Sequence, residues 1–213
     1  MSQMKDDLKT RLTTTRQSLH GVAELLMAGP QYRRSQTIRL RILPNGFSTI
    51  ADPDVRVAGG TVEIGGHHFE LTGTFAELGA KMGLDVGAPQ GVYGEGSRQA
   101  ASDVIIVDPD AADTLYDSLQ AGDIALRQFA PGKVPVLWPE HFDVGVTLDE
   151  VNYGVSLGDG FLDQPYAYVG PTSSRTRTGA FWNAPFGAAR PLPDSADEIA
   201  AFFAEGQRLA SEE

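Results

Sequence analysis

A chain of 213 residues without cysteine cannot use disulfides, thiolate metal ligands, iron–sulfur clusters or a thiol nucleophile. With 41% hydrophobic and 21% charged residues, it has the composition of a folded soluble protein, which excludes general disorder. The net charge of -11 argues against nucleic-acid binding, although the first 60 residues are basic and the acidic surplus lies in the rest.

The first residues of the sequence do not contain the apolar stretch of a secretory signal. Residues 1–16 are hydrophilic, and no run approaches the roughly 18 apolar residues of a membrane span. We therefore expect a cytoplasmic protein without membrane attachment, either a monomer or a homodimer. The length predicts a single domain over 1–213, with two lobes, 1–130 and 131–213, as the alternative.

The first predicted element is a helix with one narrow apolar seam. Apolar residues recur in steps of four and three from Leu8 to Leu26, and we expect Gly29-Pro30 to end the helix. The seam can dock on a sheet of its own chain or pair with a second copy as a short coiled coil. Docking is favoured because one seam position is Thr15 and only three heptads are present.

A change to period two after Gln36 predicts an antiparallel meander. Apolar side chains alternate with Arg39 and Arg41, and further short strands are expected near 54–58, 61–64 and 67–72. Thr74 and Glu77 then form a capping box, which predicts a helix that ends near Met82.

A glycine-rich loop is predicted over 83–100. Its four glycines, Gly87, Gly91, Gly94 and Gly96, resemble a phosphate-binding loop only in number. A phosphate-binding loop follows a strand and precedes a helix, whereas these glycines follow a helix and precede a buried strand expected at 104–107. No nucleotide fingerprint follows from them.

The second half predicts one long helix, a second set of strands and a last helix. Asp108 is the expected N-cap of a helix that runs through Phe129, and Asp194 or Ser195 that of the last helix. Strands are expected near 134–138, 141–148, 151–156 and 166–169, followed by a loop with Arg175 and Arg177. Because turns join most strands, the predicted class is α+β: antiparallel sheet meanders with packed helices, flanked by the N-terminal and C-terminal helices.

Two segments repeat the order histidine, phenylalanine, acid. His68 and Glu70 belong to one copy, and His141 and Asp143 to the other. Because side chains alternate along a strand, each pair is expected to share a strand face. If the two strands are neighbours, the four residues form a site for a divalent metal such as zinc, manganese or non-haem iron. The alternative is a solvated strand face.

A small-molecule cleft is predicted in the second half of the chain. Residues 134–186 hold half of the aromatic side chains, and aromatic walls with a few convergent polar groups are typical of a ligand pocket. The alternative is an aromatic core, because large rings also fill the interior of a β layer. The predicted lining consists of Trp138, Tyr153 and Trp182 as walls, with Glu140, His141, Asp143 and Asn183 as polar groups.

Five segments, 19–26, 28–33, 137–143, 151–154 and 181–187, resemble those of a family of uncharacterised actinobacterial proteins of similar length. The resemblance covers most of the chain and implies no activity, so it transfers no catalytic residue. A fainter likeness over 132–146 is to a larger bacterial domain family, also of unknown function.

Two functions remain open from the sequence. In the first, the cleft binds a small molecule or a divalent metal, and His141 with Asp143 supplies a general base or a metal ligand if the protein is an enzyme. In the second, the protein is a structural or interaction module that uses the N-terminal helix and the arginine strand. The simpler interpretation of the arginine cluster is that its side chains pair with acidic residues of the same fold. The cluster consists of Arg33, Arg34, Arg39 and Arg41.

Overall fold

The computed structural model describes residues 2–172 and 178–212, with side chains from residue 7 onward. Arg175 and Arg177 lie outside the described residues. The chain divides into two compact units. The first unit consists of residues 1–117 and 137–142, and the second of residues 118–136 and 143–213. Both units combine antiparallel strands with helices, so the predicted α+β class is confirmed.

The first unit begins with a long helical segment of three parts. The α-helix α1 (Ser2–Gly21) continues into a π-helix (Val22–Ala28) and then into the α-helix α2 (Gly29–Ser35). The expectation that Gly29-Pro30 ends the helix is therefore wrong. Proline is tolerated here because it stands in the first turn of α2, where an α-helix does not use the backbone N–H that proline lacks.

The sheet of the first unit is the predicted meander with one added strand. Its order is β6-β1-β2-β3-β4-β5, and each described pair is antiparallel. The helical seam docks on its own chain, because Leu19, Val22 and Leu26 are fully buried. The strands are β1 (Leu40–Leu43), β2 (Gly46–Thr49), β3 (Val55–Ala58), β4 (Thr61–Ile64), β5 (His67–Glu70) and β6 (Val136–Trp138).

Two local predictions in this unit differ in their outcome. The capping box is confirmed: Thr74 caps α3 (Phe75–Met82), accepting from the Glu77 amide at 3.1 Å while the Glu77 carboxylate accepts from the Thr74 amide at 2.9 Å. The prediction of a buried strand at 104–107 is wrong. This segment makes one bridge, to Thr74, and its Val104 is 57% exposed.

The helix α4 (Pro109–Phe129) begins as predicted and contains the division between the units. Asp108 caps it by accepting a hydrogen bond from the Ala111 amide at 3.0 Å. In the described part of the chain, every helix is too short or too polar to cross a membrane.

The second unit is an antiparallel meander with a helix, α5, packed against its strands. Its strands pair in the order β7-β8-β9-β10, and the aromatic rings of Phe129, Tyr153 and Phe203 meet within the unit at centroid distances of 4.6 to 6.0 Å. Ser195 caps the last helix, as predicted. The elements are β7 (Asp143–Leu148), β8 (Val151–Ser156), β9 (Tyr166–Pro171), β10 (Ala188–Pro191) and α5 (Ala196–Ser211).

Candidate functional site

The predicted cleft residues are divided between the two units. Trp138, Glu140 and His141 belong to the first unit, whereas Asp143, Tyr153, Trp182 and Asn183 belong to the second.

Two of these residues have clear structural roles in the second unit. Tyr153 is buried in the aromatic core, with its ring centroid 4.6 Å from that of Phe129. The side-chain amide of Asn183 donates a hydrogen bond to the Ala189 carbonyl at 3.0 Å and accepts one from the Ala189 amide at 2.9 Å, where β10 begins. Trp182 is half-buried, with its ring against that of Phe181 at 4.9 Å. For Tyr153 the core interpretation describes the structure.

The prediction that His141 and Asp143 share a strand face is wrong. Residues 139–142 form a turn, closed by a 2.8 Å hydrogen bond from the Phe142 amide to the Trp138 carbonyl, and β7 begins only at Asp143. Phe142 has a positive φ of 53°, which interrupts the alternation on which the prediction depended. The His141 side chain is 60% exposed beside Glu140, whereas Asp143 is buried and accepts a hydrogen bond from the Tyr168 hydroxyl.

The predicted metal set is not assembled. His68 and Glu70 lie exposed on β5, at one end of the strand order of the first unit, while His141 follows β6 at the other end. The condition that the two strands be neighbours is therefore not met. Across residues 2–172 and 178–212, no cluster of three or more histidine and acidic side chains is close enough to hold a metal ion.

A cavity of about 410 Å³ lies within the first unit, at the π-helix. Its lining consists of Glu24, which the π-helix provides, and of residues in the glycine-rich loop between Ala88 and Gln99. This volume is in the range of small-molecule sites. π-helical turns are rare and occur frequently at functional sites, so the combination identifies the candidate site.

Glu24 is the central group of this cavity. Every residue of the π-helix is buried, and Glu24, 4% exposed, is its one charged residue. A buried carboxylate requires hydrogen bonds, and Ser97 donates two of them, one from its hydroxyl and one from its amide at 2.9 Å. Both reach Oε2. Oε1 faces Gly96 of the loop.

Gly96 allows the loop to approach this carboxylate closely. A Cβ atom at Gly96 would lie 2.0 Å from Oε1 of Glu24, far inside van der Waals contact. The glycine is needed here for space, because its φ is not in the left-handed region. The loop backbone and the buried carboxylate thus fit each other only without a side chain at this position.

The start of the loop is fixed on the helical segment. The Gly87 amide donates to the Leu25 carbonyl at 3.0 Å, and Arg33 of α2 donates to the carbonyls of Gly87, at 3.3 Å, and Asp85. The Arg33 guanidinium also pairs with the Asp85 carboxylate at 2.8 Å. Since Ser97 fixes the other end on Glu24, the residues that line the cavity lie between these two anchors.

Tyr93 brings a phenol to the same site. Its hydroxyl oxygen is buried and, among the described residues, has no hydrogen-bond partner at ideal geometry. Burial raises the pKa of Tyr93 far above its usual range, and the charges of Glu24 and Glu140 and the interaction with the Glu24 carboxylate raise it further. The group is therefore a neutral phenol that can donate a proton in a hydrogen bond at neutral pH.

His20 of α1 connects the turn 139–142 to the helical segment. Its Nε2 lies 2.7 Å from the Pro139 carbonyl, which can only accept, so Nε2 carries the proton. The ring stacks on that of Phe142 at 5.4 Å. Burial lowers the pKa of His20, with the Pro139 bond and the Glu24 charge acting in the opposite direction, so the imidazole is neutral at pH 7.

No protein-family model, curated protein or solved structure matches this chain. The site is therefore interpreted from its own chemistry. One signal in the sequence indicates it: Glu24 is the single acid in the apolar stretch 22–28, and a charge within such a stretch has to find partners.

Proposed function

We propose that the protein binds a small polar molecule in the cavity of the first unit, with Glu24 as the group that recognises it. The observation that carries the proposal is a buried carboxylate, held by Ser97, in the lining of a cavity of about 410 Å³. A buried charge costs several kcal/mol unless it is fully paired, so a fold gains little by keeping one beside a cavity for stability alone.

The proposal keeps the small-molecule class that the sequence predicts and changes its location. Glu24 replaces the pair His141 and Asp143 as the polar centre, and the glycine-rich loop replaces the aromatic walls. The other groups at the cavity are suited to orienting a ligand: the phenol of Tyr93 and the amides of Gln90 and Gln99.

The alternative function, an interaction module built on the arginines, gains no support. Arg33 pairs with Asp85 at 2.8 Å and Arg34 pairs with Asp52 at 3.2 Å. This agrees with the simpler interpretation that the cluster pairs with acidic residues of the same fold. Arg39 lies over the ring of Trp138, 5.7 Å from its centroid. These arginines therefore already have partners within the first unit.

The test is an NMR titration of the ¹⁵N-labelled protein with a set of polar fragments of fewer than about 15 heavy atoms. We expect fragments that shift the amide signals of Gly91, Gly94 and Gly96 in the wild type and no longer do so in Glu24→Gln. The matched control is Glu70→Gln, the same substitution at an exposed carboxylate of β5. Fragments that bind Glu24→Gln as well as the wild type, or only at other signals, would refute the proposal.

A further inference from the structure

We propose that β5 pairs with the β5 strand of a second copy of this chain, in an antiparallel and symmetric dimer centred on Phe69. The interface extends the sheet of the first unit from one copy into the other. This inference goes beyond the proposed function and is independent of it, because residues 67–70 are not part of the cavity lining.

The first argument is that β5 is an open edge. β5 pairs with β4 on one side and ends the strand order on the other, and His67, His68 and Glu70 are exposed. An unpaired edge is a template for another strand unless a residue such as proline or lysine, or a bulge, blocks it. β5 contains neither of these residues and pairs with β4 in an unbroken register. β10, the other terminal strand, contains Pro191.

The second argument is the direction of the main-chain groups of β5. The Leu71 amide, which follows the strand, donates to the Gly60 carbonyl at 2.9 Å on the side of β4. Main-chain groups alternate in direction along an antiparallel strand, so those of His68 and Glu70 are directed to the open edge. The Glu70 carbonyl also accepts from the Thr72 amide at 2.9 Å, but a carbonyl has a second lone pair. A strand at this edge can therefore form the usual ladder.

The third argument is that β5 is complementary in charge to its own reverse. With Phe69 opposite its copy at the symmetry axis, His68 of each chain lies opposite Glu70 of the other, and this pairing occurs twice. An axis at His68 would oppose two imidazoles, and an axis at Glu70 would oppose two carboxylates. Of these three registers, the one centred on Phe69 is the one that pairs opposite charges.

The same pairing continues a pattern that the sheet already has. On the face that carries His68, Arg56 of β3 lies opposite Glu63 of β4, and Glu63 lies opposite His68. With the imidazole protonated, the sign of the charge alternates across these three strands, and Glu70 of the second copy extends the alternation to a fourth. On the other face, the half-buried ring of Phe69 meets its copy, which removes apolar surface of both rings from water.

The test is sedimentation equilibrium of the wild type and of charge variants of β5. A pH of about 5.5 keeps imidazoles in water protonated, and salt at about 0.15 M screens the repulsion between chains of net charge -11 at pH 7. We expect a dimer of the wild type and a Kd about tenfold weaker in His68→Glu, because that variant opposes like charges twice.

Two further variants make this comparison specific. The double variant His68→Glu/Glu70→Lys restores opposite charges and should restore the Kd of the wild type. The matched control is His67→Glu, the same change on the other strand face, which should leave the Kd within about twofold. All of these side chains are exposed, so the variants should fold, and circular dichroism verifies this.

The absence of cysteine from the chain allows a direct test of the register. Under mild oxidation, Phe69→Cys should form a disulfide-linked dimer, because the Cα atoms of a directly opposed, non-hydrogen-bonded pair are about 4.5 Å apart. Glu70→Cys should not, because the two copies of this residue would lie about 9 Å apart, beyond the reach of a disulfide.

A wild type that stays monomeric up to its solubility limit would overturn the proposal. A dimer that His68→Glu leaves unchanged would do the same, because the copies would then meet at another surface. Failure of the double variant to restore the dimer, or equal cross-linking at positions 69 and 70, would overturn the register centred on Phe69.

Discussion

Replacing Gly96 by alanine should destabilise the protein by crowding the buried carboxylate of Glu24. The new Cβ would lie 2.0 Å from Oε1 and 2.8 Å from Cδ, so the carboxylate or the loop must move by more than 1 Å to restore van der Waals contact. That movement breaks the two hydrogen bonds from Ser97, which are charge-assisted. Bonds of this kind contribute about 1.5–3 kcal/mol each, and partial relaxation gives an expected loss of about 2–4 kcal/mol in the free energy of unfolding.

Gly94→Ala provides the matched control in the same loop. A Cβ at Gly94 meets nothing within 4 Å, and its backbone is not in the left-handed region, so the change should stay within about 0.5 kcal/mol. Both variants are measured by urea unfolding followed by circular dichroism. Hydrogen exchange at the Ser97 amide should accelerate in Gly96→Ala alone.

A double-mutant cycle with Glu24→Ala separates the clash from a general effect on the loop. In that background the carboxylate is gone, so Gly96→Ala should cost almost nothing. The reasoning is refuted if Gly96→Ala is as mild as Gly94→Ala, or if its cost is unchanged when Glu24 is absent.

Three further predictions address other parts of the chain. Burial lowers the pKa of His20 below its unfolded value, so its contribution to stability is complete above a pH of about 6.5 and is lost as the pH falls through the folded value. His20→Gln, which keeps an N–H donor for the turn carbonyl, should reduce the drop in Tm between pH 7.5 and 5.0, and an unchanged drop would count against the assignment. Gly154→Ala would place a Cβ 2.5 Å from the Tyr168 hydroxyl oxygen and should cost about 2–4 kcal/mol in urea unfolding, whereas Gly160→Ala, with open space around it, should be neutral. Thr74→Ala removes the hydroxyl of the capping box and should lower the free energy of unfolding by about 1 kcal/mol, and a variant as stable as the wild type would show that the cap contributes nothing.

Elements that depend on neighbouring residues could be predicted from the sequence. The capping box of α3 and the N-caps of α4 and α5 are satisfied within three residues, so their signals are complete locally. The short strand β10 was missed because Ala188–Pro191 has neither alternation nor β-branched residues. Its pairing with β9 decides its structure, and no local window contains that partner.

The candidate site could not be predicted because its parts are distant along the chain. Ser97 is 73 residues from Glu24, and nothing in either segment indicates the other. The position of His141 depends on the left-handed conformation of Phe142, which is uncommon for a residue that is not glycine. An alternating pattern therefore predicted a strand face at a place where the chain turns.

The cavity follows from how the π-helix anchors the loop. Gly29 directs its amide to the Glu24 carbonyl, and Pro30 has no amide to offer, so the Leu25 carbonyl is free to accept from Gly87 of the loop. Glu24 itself holds Ser97 through its side chain.

The two ends of the loop are thus fixed to adjacent helix residues, whose Cα atoms are about 3.8 Å apart. The nine residues between the anchors could span about 30 Å when extended, so they must bow away from the helix surface. The glycines allow that path, and the space under it contains a buried carboxylate. Proline and glycines, which are unfavourable within a regular helix or strand, and one buried acid together account for the cavity.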